Sequence, residues 1–173
     1  ELKARMEYVT LTPGEAIQIG NATVTPHLLN HPVINLGYRI ECNGKSMFFT
    51  GDHEPPYNIY EPSDTEYAEY QQFVDEKAEA ILRGMQGVDV LVCDTSYTRQ
   101  EFPAKRGWGH GSFDTSFAYA RQAGAKVLFC THHEPTRSDD ALEAAFAQAL
   151  LDNPGASDGL DIRLAREGDS FEF

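Results

Sequence analysis

A layered α/β domain, in which one sheet carries helices on its outer face, is what the order of patterns along this chain predicts. Three observations carry that expectation. Short β-like runs separated by turn residues fill the first fifty positions. Two later segments, "VDVLVCD" (88–94) and "AKVLFCT" (125–131), are continuous apolar runs. Helical periodicity occupies the stretches around them. A continuous apolar run marks a strand buried on both faces.

The early strands are expected at 7–11 ("EYVTL"), 16–20 ("AIQIG") and 22–29 ("ATVTPHLL"), with "TPGE" and "GN" as the turns between them. "LGYRIEC" (36–42) and "SMFFTGD" (46–52) flank "NGK", a strong hairpin signal. Residues 53–65, rich in Pro, Asp, Glu and Tyr, are expected as a surface loop. From Glu66 to Met85 apolar residues recur at helical spacing, at Tyr70, Phe73, Val74, Ala78, Ile81 and Leu82. Further helices are expected from Ser112 to Ala123 and from Ser138 to Leu151. "NPGASDG" then breaks to "LDIRLA" and a last short strand, "SFEF".

The 173 residues amount to one domain's worth of chain, and 41% hydrophobic content suits a globular core. A formal charge of −13 argues against broad nucleic-acid binding, which needs a basic face. No stretch approaches the ~20 apolar residues of a membrane span, and no signal-peptide pattern opens the sequence. Cys42, Cys93 and Cys130 are odd in number, widely spaced and set in apolar runs. They read as reduced core cysteines of a cytoplasmic protein, too far apart in sequence for a zinc site of their own.

The histidines are not scattered. His31 follows a β run, His53 lies in "FFTGDHEP", His110 in "GWGHGS", and His132 with His133 in "FCTHHEP". Asp52 and Asp94 also end strand patterns. Taken alone, a histidine at a strand end is an ordinary surface residue, and either aspartate there can cap the following turn. Taken together, imidazoles and carboxylates at several strand ends gather on one rim of a sheet, where open α/β folds place their sites. That mixed nitrogen and oxygen set suits zinc or manganese. His27, after Pro26 within a strand pattern, receives no role.

Four segments in order resemble the metallo-β-lactamase-fold hydrolases, in the phosphodiesterase-like branch that includes ribonuclease Z. "HPVINLGYRIE" is similar to that branch's histidine shortly before Gly-Tyr-Arg, and "FFTGD" to its Gly-Asp motif. "LVCDTSY" and "GHGSFDTSFAYARQAGAKVLFCTHHEP" resemble the family's later segments. The resemblance covers about residues 7–150 and implies the C-terminal portion of an αββα sandwich. It implies that His31 binds one metal ion, His132 another and Asp52 both, with His110 acting as general acid or as donor to a phosphoryl oxygen. His53, Glu54, Asp94 and His133 are then supporting or substrate-facing residues. Two divalent ions are implied, zinc first, with manganese or iron as alternatives.

The family's His-x-His-x-Asp-His motif does not occur in these residues. The expectation is therefore a single domain, 1–173, lacking the N-terminal half, whose three metal residues cannot complete a two-metal centre in one copy. Half of a layered fold exposes an apolar sheet face, so association with that missing half or with a second copy is expected. Between the Gly-Tyr-Arg and Gly-Asp strands there is only a tight turn, with no room for the arm of tRNA-processing relatives. A small phosphodiester, hydrolysed by a metal-bridged hydroxide, is the expected substrate. Lys105, Arg106 and Arg137 are candidates to neutralise its phosphate, or else solvated surface charges, and Trp108 to stack on a base or pack the loop. Two other readings stay open: a non-hydrolytic di-iron redox or oxygen-sensing protein, and a metal-free regulatory fragment.

Overall fold

The computed structural model describes residues 6–172. Among them seven strands form one sheet in chain order: β1 (Ile17–Ile19), β2 (Ala22–Leu28), β3 (Leu36–Cys42), β4 (Lys45–Phe49), β5 (Val90–Asp94), β6 (Val127–Thr131) and β7 (Asp161–Leu164). β1 to β4 form an antiparallel meander, and β4 to β7 run parallel. The parallel steps need crossovers, and α1 (Tyr67–Met85), α2 (Phe113–Ala123) and α3 (Asp139–Asp152) supply them.

Local chemistry sets the boundaries. The β3–β4 hairpin closes on Asn43 and Gly44, both at positive φ (50° and 76°), as a two-residue primed turn requires. Ser112 caps α2 by accepting the Thr115 N–H, and the Thr115 side chain returns the bond to the Ser112 N–H. Pro26 stands inside β2 without loss to the ladder. Its carbonyl accepts from the Gly14 N–H beyond the end of β1, so its missing donor also faces away from β3.

Alternate residues of the central strands, Phe48, Leu91, Cys93, Leu128 and Cys130, are buried with Ile81 and Met85 of α1 and Phe113 and Phe117 of α2. The residues between them, among them Met47, Phe49, Val92 and Phe129, lie on the opposite face and are only partly covered. The uncovered face is therefore apolar along its centre.

Several expectations are corrected. Residues 7–11 form no strand: they are largely solvent-exposed, and β propensity without a covered face does not hold a ladder. The expected strand at 46–52 stops at Phe49, because Thr50 to Asp52 turn away into the rim. Of "SFEF", residues 170–172 are not in a strand and Phe173 lies outside the described residues. Phe171 is held instead by its ring, 5.4 Å from that of Phe129, with Arg163 over its face. A short 3₁₀ turn at Phe102–Lys105 adds an element that the sequence pattern does not signal. Cys93 and Cys130 are buried side by side in β5 and β6, and burial pushes the Cys93 thiol up to about 12. Cys42 is only half-buried, because it ends β3 opposite Lys45 at the hairpin mouth. Among the described residues no helix is long and apolar enough to cross a membrane.

Candidate metal centre

The C-terminal ends of β4, β5 and β6 are stitched to one another just where the rim begins. Thr50 donates its N–H to the Val92 carbonyl, and its hydroxyl accepts the Asp94 N–H at 3.1 Å. Thr95 donates both its N–H and its hydroxyl to the Thr131 carbonyl. Asp52, Asp94 and His132 therefore leave a rigid edge.

Asp52 sits between two imidazoles. Its Oδ2 is 3.7 Å from His31 Nε2, and its Oδ1 is 3.3 Å from His132 Nδ1. Its carboxylate is 41% exposed. The Asn35 amide holds its backbone by donating to the Asp52 carbonyl. His31 Nδ1 lies 3.2 Å from the Val33 carbonyl and 3.3 Å from the Val33 nitrogen, so Val33 can serve either tautomer, accepting from Nδ1–H or donating its N–H to a bare Nδ1. The tautomer with the proton on Nδ1 is the one that turns the Nε2 lone pair toward Asp52, the arrangement metal-binding histidines use. His132 has φ of +56°, an uncommon conformation for a residue with a side chain. Such strain gathers at sites, and here it turns the ring back over the edge.

Asp94 is the opposite kind of carboxylate. Its side chain is 0% exposed. Oδ2 accepts the His53 N–H and His110 Nδ1–H, at 3.1 and 2.8 Å, and Oδ1 accepts the Ser96 N–H at 3.1 Å. The Ser96 hydroxyl lies 2.9 Å from Asp94 Oδ1 and 2.6 Å from the His132 carbonyl, linking the two strand ends. Asp52, Asp94, His110 and His132 bring one ligand-type atom each within 4.8 Å of one another. Asp94 has its lone pairs occupied already, so within that group it orients His110. His110 in turn stacks on His132, with ring centroids 4.8 Å apart and 17° between planes.

The loop that carries His110 is held from below by Glu54. Its buried carboxylate accepts the N–H groups of Gly107 (2.8 and 3.0 Å) and Gly109 (3.0 Å). Gly109 has φ of +92°, and a Cβ there would stand 2.2 Å from His31 Cδ2. Only glycine lets the loop approach His31 this closely.

His53 and His133 lie off the rim. The His53 ring is buried beside Tyr119, and neither of its nitrogens has a hydrogen-bond partner. Burial pushes it down to about 4, aided by Lys77 and opposed by the nearby Asn30 carbonyl. His133 turns toward a cavity between α3 and the end of β7, with its Nδ1 3.4 Å from the Thr95 hydroxyl. Neither ring meets the Asp52 group. Arg137 is paired with Glu101 at 2.6 Å, Lys105 lies 3.9 Å over the Trp108 ring, and Arg106 lies over Tyr57. The positioning work of Asn35, Ser96 and Gly109 is not among the sequence expectations. The glycine pair around Trp108 is a signal that sequence reading could have used, whereas Asn35 and Ser96 look like ordinary loop residues.

Two imidazole nitrogens around a partly exposed carboxylate form a donor set that fits a divalent cation, zinc included. His31, Asp52 and His132 would hold it. Three donors are fewer than two ions require.

Residues 1–133 match the family model described as the β-lactamase superfamily domain. The uncharacterized protein Rv1339 of Mycobacterium tuberculosis is 28% identical over 136 residues, 78% of this chain and 41% of that protein. The chain thus spans about two fifths of the length of the curated relatives it matches. Among solved structures, the metallo-β-lactamase-fold protein YhfI of Bacillus subtilis superposes with a TM-score of 0.64 at 18% identity, covering 95% of this chain and 55% of that one. A diphosphatase of the PhnP family superposes with a TM-score of 0.55 at 20% identity, over 94% and 47% of the two chains. These likenesses establish the fold.

Proposed function

This chain belongs to the β-lactamase superfamily, with the metallo-β-lactamase fold, and on that premise we propose that its rim is the C-terminal share of the metal centre of a phosphodiesterase-like hydrolase. The observation that carries the proposal is the division of labour at the rim. An under-bonded Asp52 lies between His31 and His132, and beside it stands a His110 oriented by a buried, fully bonded Asp94.

Divalent ions held there would supply Lewis-acid polarisation and activation of a water. The chain's own residues do the rest. Asp94 holds His110 Nδ1, so His110 Nε2 is the nitrogen left to exchange a proton with a leaving oxygen. Glu54 and the glycine loop fix the height of that ring above the edge. The remaining ligands come from outside the three donors named, in the whole protein. A small phosphodiester is the substrate class, consistent with a formal charge of −13 that disfavours a polyanion. The non-hydrolytic di-iron reading leaves the Asp94–His110 pair without a task.

The test is hydrolysis of bis(p-nitrophenyl) phosphate by the full-length protein, with and without added zinc or manganese. Metal-dependent turnover that falls ~10²–10⁴-fold in His110→Ala supports the reading. Turnover that His110→Ala leaves intact refutes it.

A further inference from the structure

Beside the rim, α1 and the 53–65 loop enclose a cleft of about 270 Å³ that shares His31 as a wall. Three features together suit it to a ligand. First, two of its apolar residues are conspicuously open: Ile59 is 62% and Phe73 is 54% exposed. Large apolar side chains at the mouth of a concave site have surface to gain from a ligand. Second, Tyr57 and Tyr70 add ring surface to the same lining, and the Tyr70 and Phe73 rings lie 5.7 Å apart. Third, a lysine, Lys77, lines the cleft. Lys77 Nζ donates to Asn30 Oδ1 at 2.7 Å and lies 6.0 Å from the Phe73 ring centroid. An ammonium has three donors, so two remain for a ligand. Burial draws it below the ordinary lysine value, which a hydrogen-bond acceptor entering the cleft would offset.

Resting on the hydrolase reading above, the geometry points to this cleft as the subsite for the non-reacting arm of the phosphodiester, an arm carrying a flat aromatic ring with a carbonyl-type acceptor. The ring lies against Phe73 and the tyrosines, its acceptor meets Lys77, and the phosphoryl group reaches past His31 to Asp52. The neighbourhood of His31 makes the two halves of such a substrate contiguous. Selection among phosphodiesters then comes from the arm, since the rim itself meets only phosphoryl oxygens.

Two measurements test this separately from the chemistry. Benzamide, a flat ring with one carbonyl, is titrated into metal-stripped protein and followed by NMR at the side chains of Tyr70, Phe73 and Lys77. Shifts confined to these residues, weakened in Phe73→Ala and Lys77→Met, are expected. No shift at millimolar benzamide, or shifts that survive both substitutions, overturns the assignment. Phe73 is half-open to solvent, so its truncation leaves the fold intact. In the second arm the full-length, metal-loaded protein is given bis(p-nitrophenyl) phosphate and methyl p-nitrophenyl phosphate, which share a leaving group and differ in the arm. The ratio of kcat/KM between them is expected to fall about tenfold in Phe73→Ala, the loss of a ring–ring contact and its covered area. An unchanged ratio overturns the assignment. If benzamide binds in the cleft and neither ester is cleaved, the hydrolase reading fails and the cleft remains.

Discussion

Two aspartates end neighbouring strands of one sheet, and their surroundings make them different reagents. Asp52, past the end of β4, is 41% exposed and meets imidazoles at 3.3 and 3.7 Å, distances too long for well-made hydrogen bonds. Asp94, at the end of β5, is fully enclosed and accepts three N–H groups within 3.1 Å. A carboxylate with free lone pairs and rigid neighbours is a ligand in waiting, and one with its lone pairs filled is a fixture. The backbone beyond each strand makes the difference. After β4 the chain turns outward through Gly51, whereas after β5 it folds back so that the Ser96 N–H meets the Asp94 carboxylate.

The hardest way to break this comparison is to remove Asp52. Asp52→Ala in the full-length protein is expected to lose bound metal and activity together. The loss in metal affinity should exceed the ~10–100-fold that deletion of an outer partner costs. Metal content by plasma emission and turnover of bis(p-nitrophenyl) phosphate check it. If Asp52→Ala keeps its metal, the two aspartates have been assigned the wrong way round.

His110→Ala comes next, with activity down ~10²–10⁴-fold and metal content unchanged. Asp94→Asn sharpens the contrast further. An amide retains one acceptor oxygen but presents N–H groups where the carboxylate accepted, so His110 is left unaimed. A fall of about 10–100-fold is expected, again with metal retained. The double variant Asp94→Asn/His110→Ala should be no slower than His110→Ala, because a positioning residue has nothing to act on once its partner is gone. Additive losses would give Asp94 a task of its own.

Much of this contrast is legible without coordinates. The placement of Asp52, Asp94, His31 and His132 comes from apolar runs that stop at polar groups, His110 stands just before α2, and the fold brings all five to one rim. In "GDHEP" only the resemblance carried by "FFTGD" separates Asp52 from His53, because residue type alone does not say which of two adjacent side chains turns inward. Gly51 at φ of +59° decides it, sending Asp52 to the edge and His53 under α2. The strand expected at 7–11 fails for a different reason. β propensity describes how a side chain fits a half-covered surface, and no such surface reaches those residues.

Glu54 offers the finest test, since it acts on the comparison only through a loop. Its buried carboxylate gathers N–H groups from Gly107 and Gly109, and Gly109 is what lets the loop seat against His31. Glu54→Gln keeps the volume and replaces one acceptor oxygen with an NH₂ facing those backbone donors. With the NH₂ in place of Oε2 the Gly109 N–H loses its partner in a buried place, while Gly107 keeps Oε1, at a cost of about 1–3 kcal/mol. For a domain of this length each kcal/mol lowers Tm by about 2–4 °C. Calorimetry should therefore show a drop of several degrees. Activity should fall about tenfold, less than in Asp94→Asn, because the loop loosens while the Asp94–His110 bond survives. The same variant should leave metal content unchanged. A Glu54→Gln protein that melts as the parent does would show that the glycine loop is held from elsewhere, and that Asp94 alone sets the position of His110.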